Sequence, residues 1–334
     1  MEFDLAFIWA GIIAFAVLAY VIMDGFDLGI GMLFPLLHDE GERDVAMNSV
    51  APVWAGKETW LVLGGGGLMA AFPLAYATVL PALYAPITAM LIGLILRGVA
   101  FEFRWRANDK TLWDISFVAG STIATLAQGI ALGALVQGIE IAGRAYAGGW
   151  WDWLTPFTIL CGVSLAIGYM LLGACWLVLK TEGELQARAR RFAQRAGAGT
   201  LLLIGLVSLW TPFLQPSYLD RWFSWPSMAF SAVVPVLLLG CVWALYTGLR
   251  GAGHDSRPFL AALGIFVLCY AGIGISFYPH MVPPNLTIWQ AAAPDSSLGF
   301  LLVGALVLIP MIIAYTAYAY WVFRGKIDPK ASYH

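Results

Sequence analysis

Long apolar runs alternate along the chain with short polar or Pro/Gly-rich stretches. Nine runs reach the length of a bilayer crossing, at roughly 5–35, 58–78, 80–103, 113–139, 155–179, 197–215, 227–249, 258–278 and 298–323. A membrane-spanning helix needs about 20 mostly apolar residues, and apolar residues on every face mark a helix surrounded by lipid or protein. The pattern predicts an all-α integral membrane protein with nine transmembrane helices. The first run exceeds a simple crossing, since about 33 residues of helix measure about 50 Å. The helix therefore either projects beyond the lipid or breaks within Asp24-Gly25-Phe26-Asp27-Leu28-Gly29 in its second half. No stretch between runs is long enough to fold as a soluble domain, so 1–334 reads as one polytopic membrane domain.

The cations orient this array. With the amino terminus outside, the inner segments hold Arg43 and Lys57; Arg104, Arg106 and Lys110; Lys180, Arg188, Arg190, Arg191 and Arg195; Arg250 and Arg257; and Arg324, Lys326 and Lys330. The outer loops hold only Arg144 and Arg221, and Arg97 falls inside the third run. Cytoplasmic loops carry the excess of Lys and Arg, so the expected topology is amino terminus outside and carboxyl terminus cytoplasmic. Trp150, Trp151 and Trp153, and Trp222 with Trp225, read as aromatic belts at the outer interface.

Composition narrows the function classes. Hydrophobic residues make up 60% of the 334 and charged residues 11%, against roughly 25% charged in a soluble domain. The net charge of -2 offers no basic surface for nucleic acid. Met1 to Asp4 carry Glu2 and Asp4 and no basic residue, which argues against a cleaved secretory signal. The four cysteines sit inside apolar runs as packing residues, with no metal-clip spacing. His38, His254, His280 and His334 fall in loops, at span ends or at the carboxyl terminus, so none is placed as a membrane haem ligand, and no Ser/His/Asp set supports acyl transfer. Gly64 to Gly67 lack the Lys-Ser/Thr of a phosphate loop and read as helix packing, as do Gly129 and Gly133.

Charged groups inside lipid are costly unless paired or wetted, which makes them the candidates for function. Asp24 and Asp27 stand three apart on one helix face, with Gly25 and Gly29 as a small-xxx-small seam. Glu58, Arg97, Glu102 and Asp114 gravitate to the same, cytoplasmic half. Two readings stay open from these residues: a proton relay, or an ion pair of Arg97 with Asp24 or Asp27 that locks helices together. A cation-coupled transporter acting alone would use the same acids, but would show internal repeats and paired broken helices. Trp54, between Pro52 and Lys57 at the inner interface, is placed to stack on a quinone ring, an interfacial anchor being its simpler role.

Several of these stretches together resemble subunit II of cytochrome bd-type quinol oxidases. They are Met23-Asp24-Gly25-Phe26-Asp27-Leu28-Gly29-Ile30-Gly31, Asn48-Ser49-Val50-Ala51-Pro52-Val53-Trp54, Glu58-Thr59-Trp60-Leu61 and Arg97-Gly98-Val99-Ala100-Phe101-Glu102-Phe103-Arg104. Trp113-Asp114, Glu182-Gly183-Glu184-Leu185 and the Tyr315 to Trp321 stretch extend the likeness. The first third is specific, and the remainder agrees in span order and length.

The resemblance implies two four-helix bundles with a peripheral helix, paired with a larger haem-bearing subunit I and, in the family's variations, small single-helix subunits. It implies no haem in this chain, with haem b and haem d, or a b-type replacement, in subunit I. The complex would oxidise quinol and reduce dioxygen to water in a bacterial or archaeal plasma membrane. By the same resemblance Asp27 and Arg97 match positions linked to the stability of the haems, Asp24 and Asp114 match acids, Glu102 stands where Asp is usual, and Trp54 matches a position that stacks on a structural quinone in some members. Where many members read Trp-Asp-Gly-Asn, this chain has Trp54-Ala55-Gly56-Lys57. The acid of a second proton route is therefore missing, and Glu58 is the residue left to replace it. The short connection between the sixth and seventh runs is similar to that of the cyanide-insensitive branch.

Overall fold

Helix α1 (Leu5–Leu33) is capped by the Asp4 side chain on the Phe7 amide and runs unbroken for 29 residues, about 44 Å at 1.5 Å per residue. Of the two possibilities for the first run, a break within the Asp24 to Gly29 motif is not found, and the helix is continuous through it. The structure, a computed structural model, describes residues 4–251 and 253–327, so Glu2, Lys330 and His334 lie outside the described residues. Gly25, Gly29 and Gly31 of α1 do not break it and serve as contact points. A Cβ on Gly29 would overlap the Tyr169 carbonyl oxygen of α7 (Pro156–Lys180), and one on Gly31 would overlap the Ser121 hydroxyl of α6 (Thr111–Gln137).

The break occurs instead in the second run. After a short α2 (Glu40–Asn48), the chain forms α3 (Glu58–Ala71) and α4 (Pro73–Ala82), which meet at 120°. Pro73 lacks an amide hydrogen and its ring excludes the helical conformation from the preceding residue; Phe72 accordingly takes φ -132° and ψ 63°. The freed Ala71 carbonyl accepts from the Ala293 amide at 2.8 Å, so the exposed end of α3 is satisfied from elsewhere in the chain. Eight helices are thus long and apolar enough to cross a membrane among the described residues, and the ninth crossing exists only if the bent pair counts as one.

The remaining helices are α5 (Tyr84–Phe103), α8 (Gly183–Trp210), α9 (Pro216–Phe223), α10 (Ser227–Leu249), α11 (Ser256–Phe277), α12 (Ile288–Ala291) and α13 (Asp295–Val322). The sixth run, expected at 197–215, begins at Gly183. The Arg-rich segment before it is helical as well, because its cations meet acids of neighbouring connections, and Pro212 ends the helix early. The connections between α6 and α7 and between α11 and α12 contain two short antiparallel ribbons, β1 (Ile141–Ala142) with β2 (Ala145–Tyr146), and β3 (His280–Val282) with β4 (Leu286–Thr287).

Close approach of backbones sets the core. Gly93 of α5 packs on Gly120 of α6, Gly129 of α6 on Gly162 of α7, and Gly29 of α1 on Gly173 of α7. Such crossings need small residues, because lipid tails supply no hydrophobic drive between helices. The run Gly64 to Gly67 behaves differently from expectation: Gly64 and Gly67 face Val17 and Ile13 of α1, but Gly65 and Gly66 have nothing within 4 Å.

Ion pairs gather the cation-bearing connections at one end. Arg188 meets Glu42, Arg104 meets Asp44, and Asp255 holds both Arg190 and Lys326. Lys326 also donates to the Val178 and Thr181 carbonyls and Lys180 donates to the Phe323 carbonyl, so residues 323–327 are clasped against the end of α7 and the start of α11. Burial pushes the Asp255 carboxyl up, but hydrogen bonds from Lys326 and Gln186 and the Lys326 and Arg190 charges outweigh it and hold the carboxyl below its usual value.

Two expectations follow. Gly29→Ala forces α1 away from α7 and lowers the midpoint of thermal unfolding sharply, whereas Gly65→Ala gains helix propensity of about 0.5–1 kcal/mol and raises or preserves it; tryptophan fluorescence melts of the two variants check this. A carboxyl held below its unfolded value stabilises above that value, about 3.9, and loses the contribution as pH falls through the folded one. The clasp therefore holds at neutral pH and opens in acid, and Asp255→Asn, which removes up to about 1 kcal/mol, opens it at neutral pH; hydrogen exchange at 323–327 reads both.

Candidate functional site: a buried charge cluster

Asp24 and Asp27 leave α1 on one face and are fully buried. The start of α3 brings Lys57 and Glu58 to them, and α5 brings Arg97, also fully buried. Arg97 Nη1 pairs with Asp24 Oδ1, and its Nη2 donates to Glu58 Oε1 at 2.8 Å. Lys57 Nζ lies 2.6 Å from Asp27 Oδ1, at ion-pair distance but outside hydrogen-bond geometry. The Lys57 ammonium also sits 3.9 Å from the centre of the Phe26 ring, which stacks at 4.3 Å on Trp176 of α7.

Each buried aspartate thus has its own cation, as a low-dielectric setting requires. Glu58 is a third acid shared onto Arg97. Its side chain is 37% exposed, whereas those of Asp24, Asp27, Lys57 and Arg97 are 0–1% exposed. Asp24 Oδ2, Asp27 Oδ2 and Arg97 Nε are buried with no hydrogen-bond partner in the protein, and atoms of this kind are ordinarily satisfied by internal water. One turn before Asp24, the Tyr20 hydroxyl accepts from Gln128 of α6, whose Oε1 accepts from the Tyr169 hydroxyl, each at 3.0 Å.

A second cluster lies at the end of α5 and α6. Arg104, fully buried, donates to Asp114 Oδ1 and Asp44 Oδ1, both at 2.5 Å. Arg43 meets Asp114 Oδ2 at 3.0 Å, and Lys110 meets Glu40 and Asp44. Burial pulls the Lys110 amine down, but the hydrogen bonds to Glu40 and Asp44 prevail and raise it.

The structure therefore brings four of the anticipated residues together, Asp24, Asp27, Glu58 and Arg97, and assigns Asp114 to a separate cluster with Arg104. Glu102 joins neither and is exposed. Trp54 stacks on Phe101 of α5 with centroids 5.0 Å apart, next to Gly98, so one face of the indole is already occupied. Arg97 pairs with Asp24, a contact that both the relay and the locking ion pair allow, and Lys57, read as an interfacial cation, takes Asp27. His38, His254 and His280 lie outside the helices, and no group of three or more metal-ligating side chains gathers among the described residues.

A polytopic α-helical membrane protein whose interior holds a buried network of paired charges, with a separate second network where α5 ends and α6 begins, is the class these features define. Residues 5–323 match the family described as cytochrome bd terminal oxidase subunit II, and the chain belongs to that family, whose members are parts of a quinol:oxygen oxidoreductase complex of the bacterial plasma membrane. It is 30% identical to the cytochrome bd-I ubiquinol oxidase subunit 2 of Escherichia coli K12 over 97% of this chain and 95% of that one. It is 29% identical to the cytochrome bd ubiquinol oxidase subunit 2 of Bacillus subtilis over 97% of each. The solved bd oxidase from Geobacillus thermodenitrificans contains a chain of the same fold, with a TM-score of 0.80 at 17% identity, covering 96% of this chain and 99% of that chain. Family membership replaces the transporter alternative, which also asked for paired broken helices where one bent pair occurs among the described residues.

Lys57→Met leaves Asp27 as an uncompensated buried charge and is expected to destabilise by about 3–5 kcal/mol, with Lys57→Met/Asp27→Leu recovering most of the loss. Chemical or thermal unfolding of the four members of this cycle in detergent measures the coupling.

Proposed function

We propose that this chain is the haem-free subunit II of its oxidase, that it stabilises a larger subunit I carrying haem b and haem d or a b-type replacement, and that its buried charge cluster takes up protons from the cytoplasm. The observation that carries the last part is the gradient of exposure. Glu58 alone reaches the surface, and behind it, through Arg97, lie Asp24 and Asp27 with unpartnered oxygens that would hold water. A carboxylate at the mouth of such a site can exchange protons with solvent, and the paired acids behind it stay ionised or pass a proton along water. Glu58 then serves where the acid of the Trp-Asp-Gly-Asn pattern is missing. Lys57, in the same segment, compensates Asp27 instead of conducting.

In this reading quinol oxidation and dioxygen reduction to water occur on the partner. The loop and terminal positions of the histidines support placing the haems there. The common end of the ion-paired, cation-bearing connections supports an inside location for them, with the amino terminus outside. We read α1, the bent α3 and α4, α5 and α6 as one four-helix bundle and α7, α8, α10 and α11 as the second, with α13 peripheral. The Asp114 and Arg104 network would be the rim of the proton intake. The contacts of Trp54 support an aromatic anchor, and a structural quinone would have only the indole face opposite Phe101.

In the purified complex, Asp27→Asn and Arg97→Gln are expected to disturb the reduced-minus-oxidised haem bands of the partner. Glu58→Gln is expected to leave the bands intact while slowing quinol-driven oxygen consumption several-fold. Unaltered spectra with full turnover in Asp27→Asn and Arg97→Gln would reduce the cluster to a structural lock, and full turnover in Glu58→Gln would remove it from the proton route.

A further inference from the structure

A groove of about 780 Å³ runs between α10 and α11, starting at the end where Arg250 and Arg257 stand. That volume is within the range of ligand sites, about 300–1,000 Å³. Small residues, Gly240, Cys241 and Ala244 on α10 and Ala261 on α11, form its bed, and Leu237 and Leu268 line its deeper part. From Ser256 to Leu268 the groove follows twelve residues of α11, about 18 Å. The hydrocarbon core is about 30 Å thick, so a groove that opens at the interface, where the arginines and aromatics of its mouth would stand, reaches about one leaflet deep.

Its mouth is cationic. The Arg257 guanidinium lies over Trp243 at 5.1 Å and the Arg250 guanidinium over Tyr246 at 4.1 Å, which holds both charges at the level of interfacial aromatics. Neither meets a carboxylate among the described residues. The neighbouring acid, Asp255, is taken by Arg190 and Lys326. His254 and Ser256 add polar groups at the same rim.

We infer that this groove binds one anionic phospholipid, its acyl chain along the small-residue bed and its phosphate against Arg250 and Arg257. Depth selects a lipid over a protein helix, because a crossing helix would seek a seam through the full bilayer, whereas an acyl chain ends at its centre. Charge selects an anionic headgroup, because each cation near the surface favours anionic lipid.

The test uses the complete oxidase in nanodiscs of equal phosphatidylethanolamine and phosphatidylglycerol, with retained lipids counted by native mass spectrometry. Wild type is expected to keep one tightly held phosphatidylglycerol. Arg250→Gln/Arg257→Gln should lower its retention relative to phosphatidylethanolamine by on the order of tenfold or more. Gly240→Phe, at a groove position where an added Cβ meets nothing within 4 Å, should fill the groove and eject the lipid. Oxygen consumption reports that both variants remain assembled, and the Arg pair stands as the test if Gly240→Phe does not assemble. Equal retention of the two lipids by wild type, indifference to the Arg replacements, or an added polypeptide mass displaced by Gly240→Phe would each overturn the proposal.

Discussion

Everything at the charged end of this subunit depends on one constraint: an ion removed from water must meet its opposite. Asp24 and Asp27 are fixed to α1, and α1 is unbroken, so the two carboxylates stand one turn apart at fixed heights. Arg97 and Lys57 must come to them, which sets the depth of α5 and the point where the chain turns into α3. The preference for a compensated pair over a lone buried charge amounts to several kcal/mol, enough to specify how these segments align where the apolar contacts alone would permit sliding. The second network, around Arg104, extends the same logic to α2 and α6.

The pairs can form only because the helices come unusually close. Side chains of ordinary size at Gly29, Gly93, Gly120 or Gly173 would hold the backbones apart and leave the ions stranded. Packing and electrostatics are therefore not separate contributions here. Glycine crossings bring the polar atoms within reach, and the ion pairs decide which of several possible crossings is occupied. Toward the periphery neither applies, and α10 and α13 present long stretches of exposed Leu, Val, Phe and Trp to their surroundings.

Much of this was legible in the sequence. The apolar runs located the eight long spanning helices, the aspartate pair on α1 announced its shared face, and the motif stretches pointed to the family. What escaped has physical reasons. Lys57 reads as an interfacial cation, and its burial follows from how near α3 stands to α1, a property of the tertiary fold. Arg104 is hidden in the same way beneath α2, which a hydropathy reading leaves as loop. The bend at Phe72 was signalled by Pro73, but the apolar run continues across it, and apolarity does not register direction. The amino-terminal half of α8 was missed because hydropathy sees only its lipid-facing part. Glu102 lies five residues after Arg97, about 140° round the helix, so its separation from the cluster is a matter of helical geometry available from the start.

The crossing of α1 and α7 at Gly29 and Gly173 has backbone against backbone, with no side chain between to compress or rotate. A joint of that kind cannot slide in small steps. When the surrounding bilayer thickens or thins, the mismatch has to be taken up by tilt of the outer helices, and α13, which touches the rest of the chain sparsely, is free to tilt. The carboxylates on α1 then keep their distance from Lys57 and Arg97. The subunit acts as a gauge block: compliant at its rim, and constant in dimension where its charges stand.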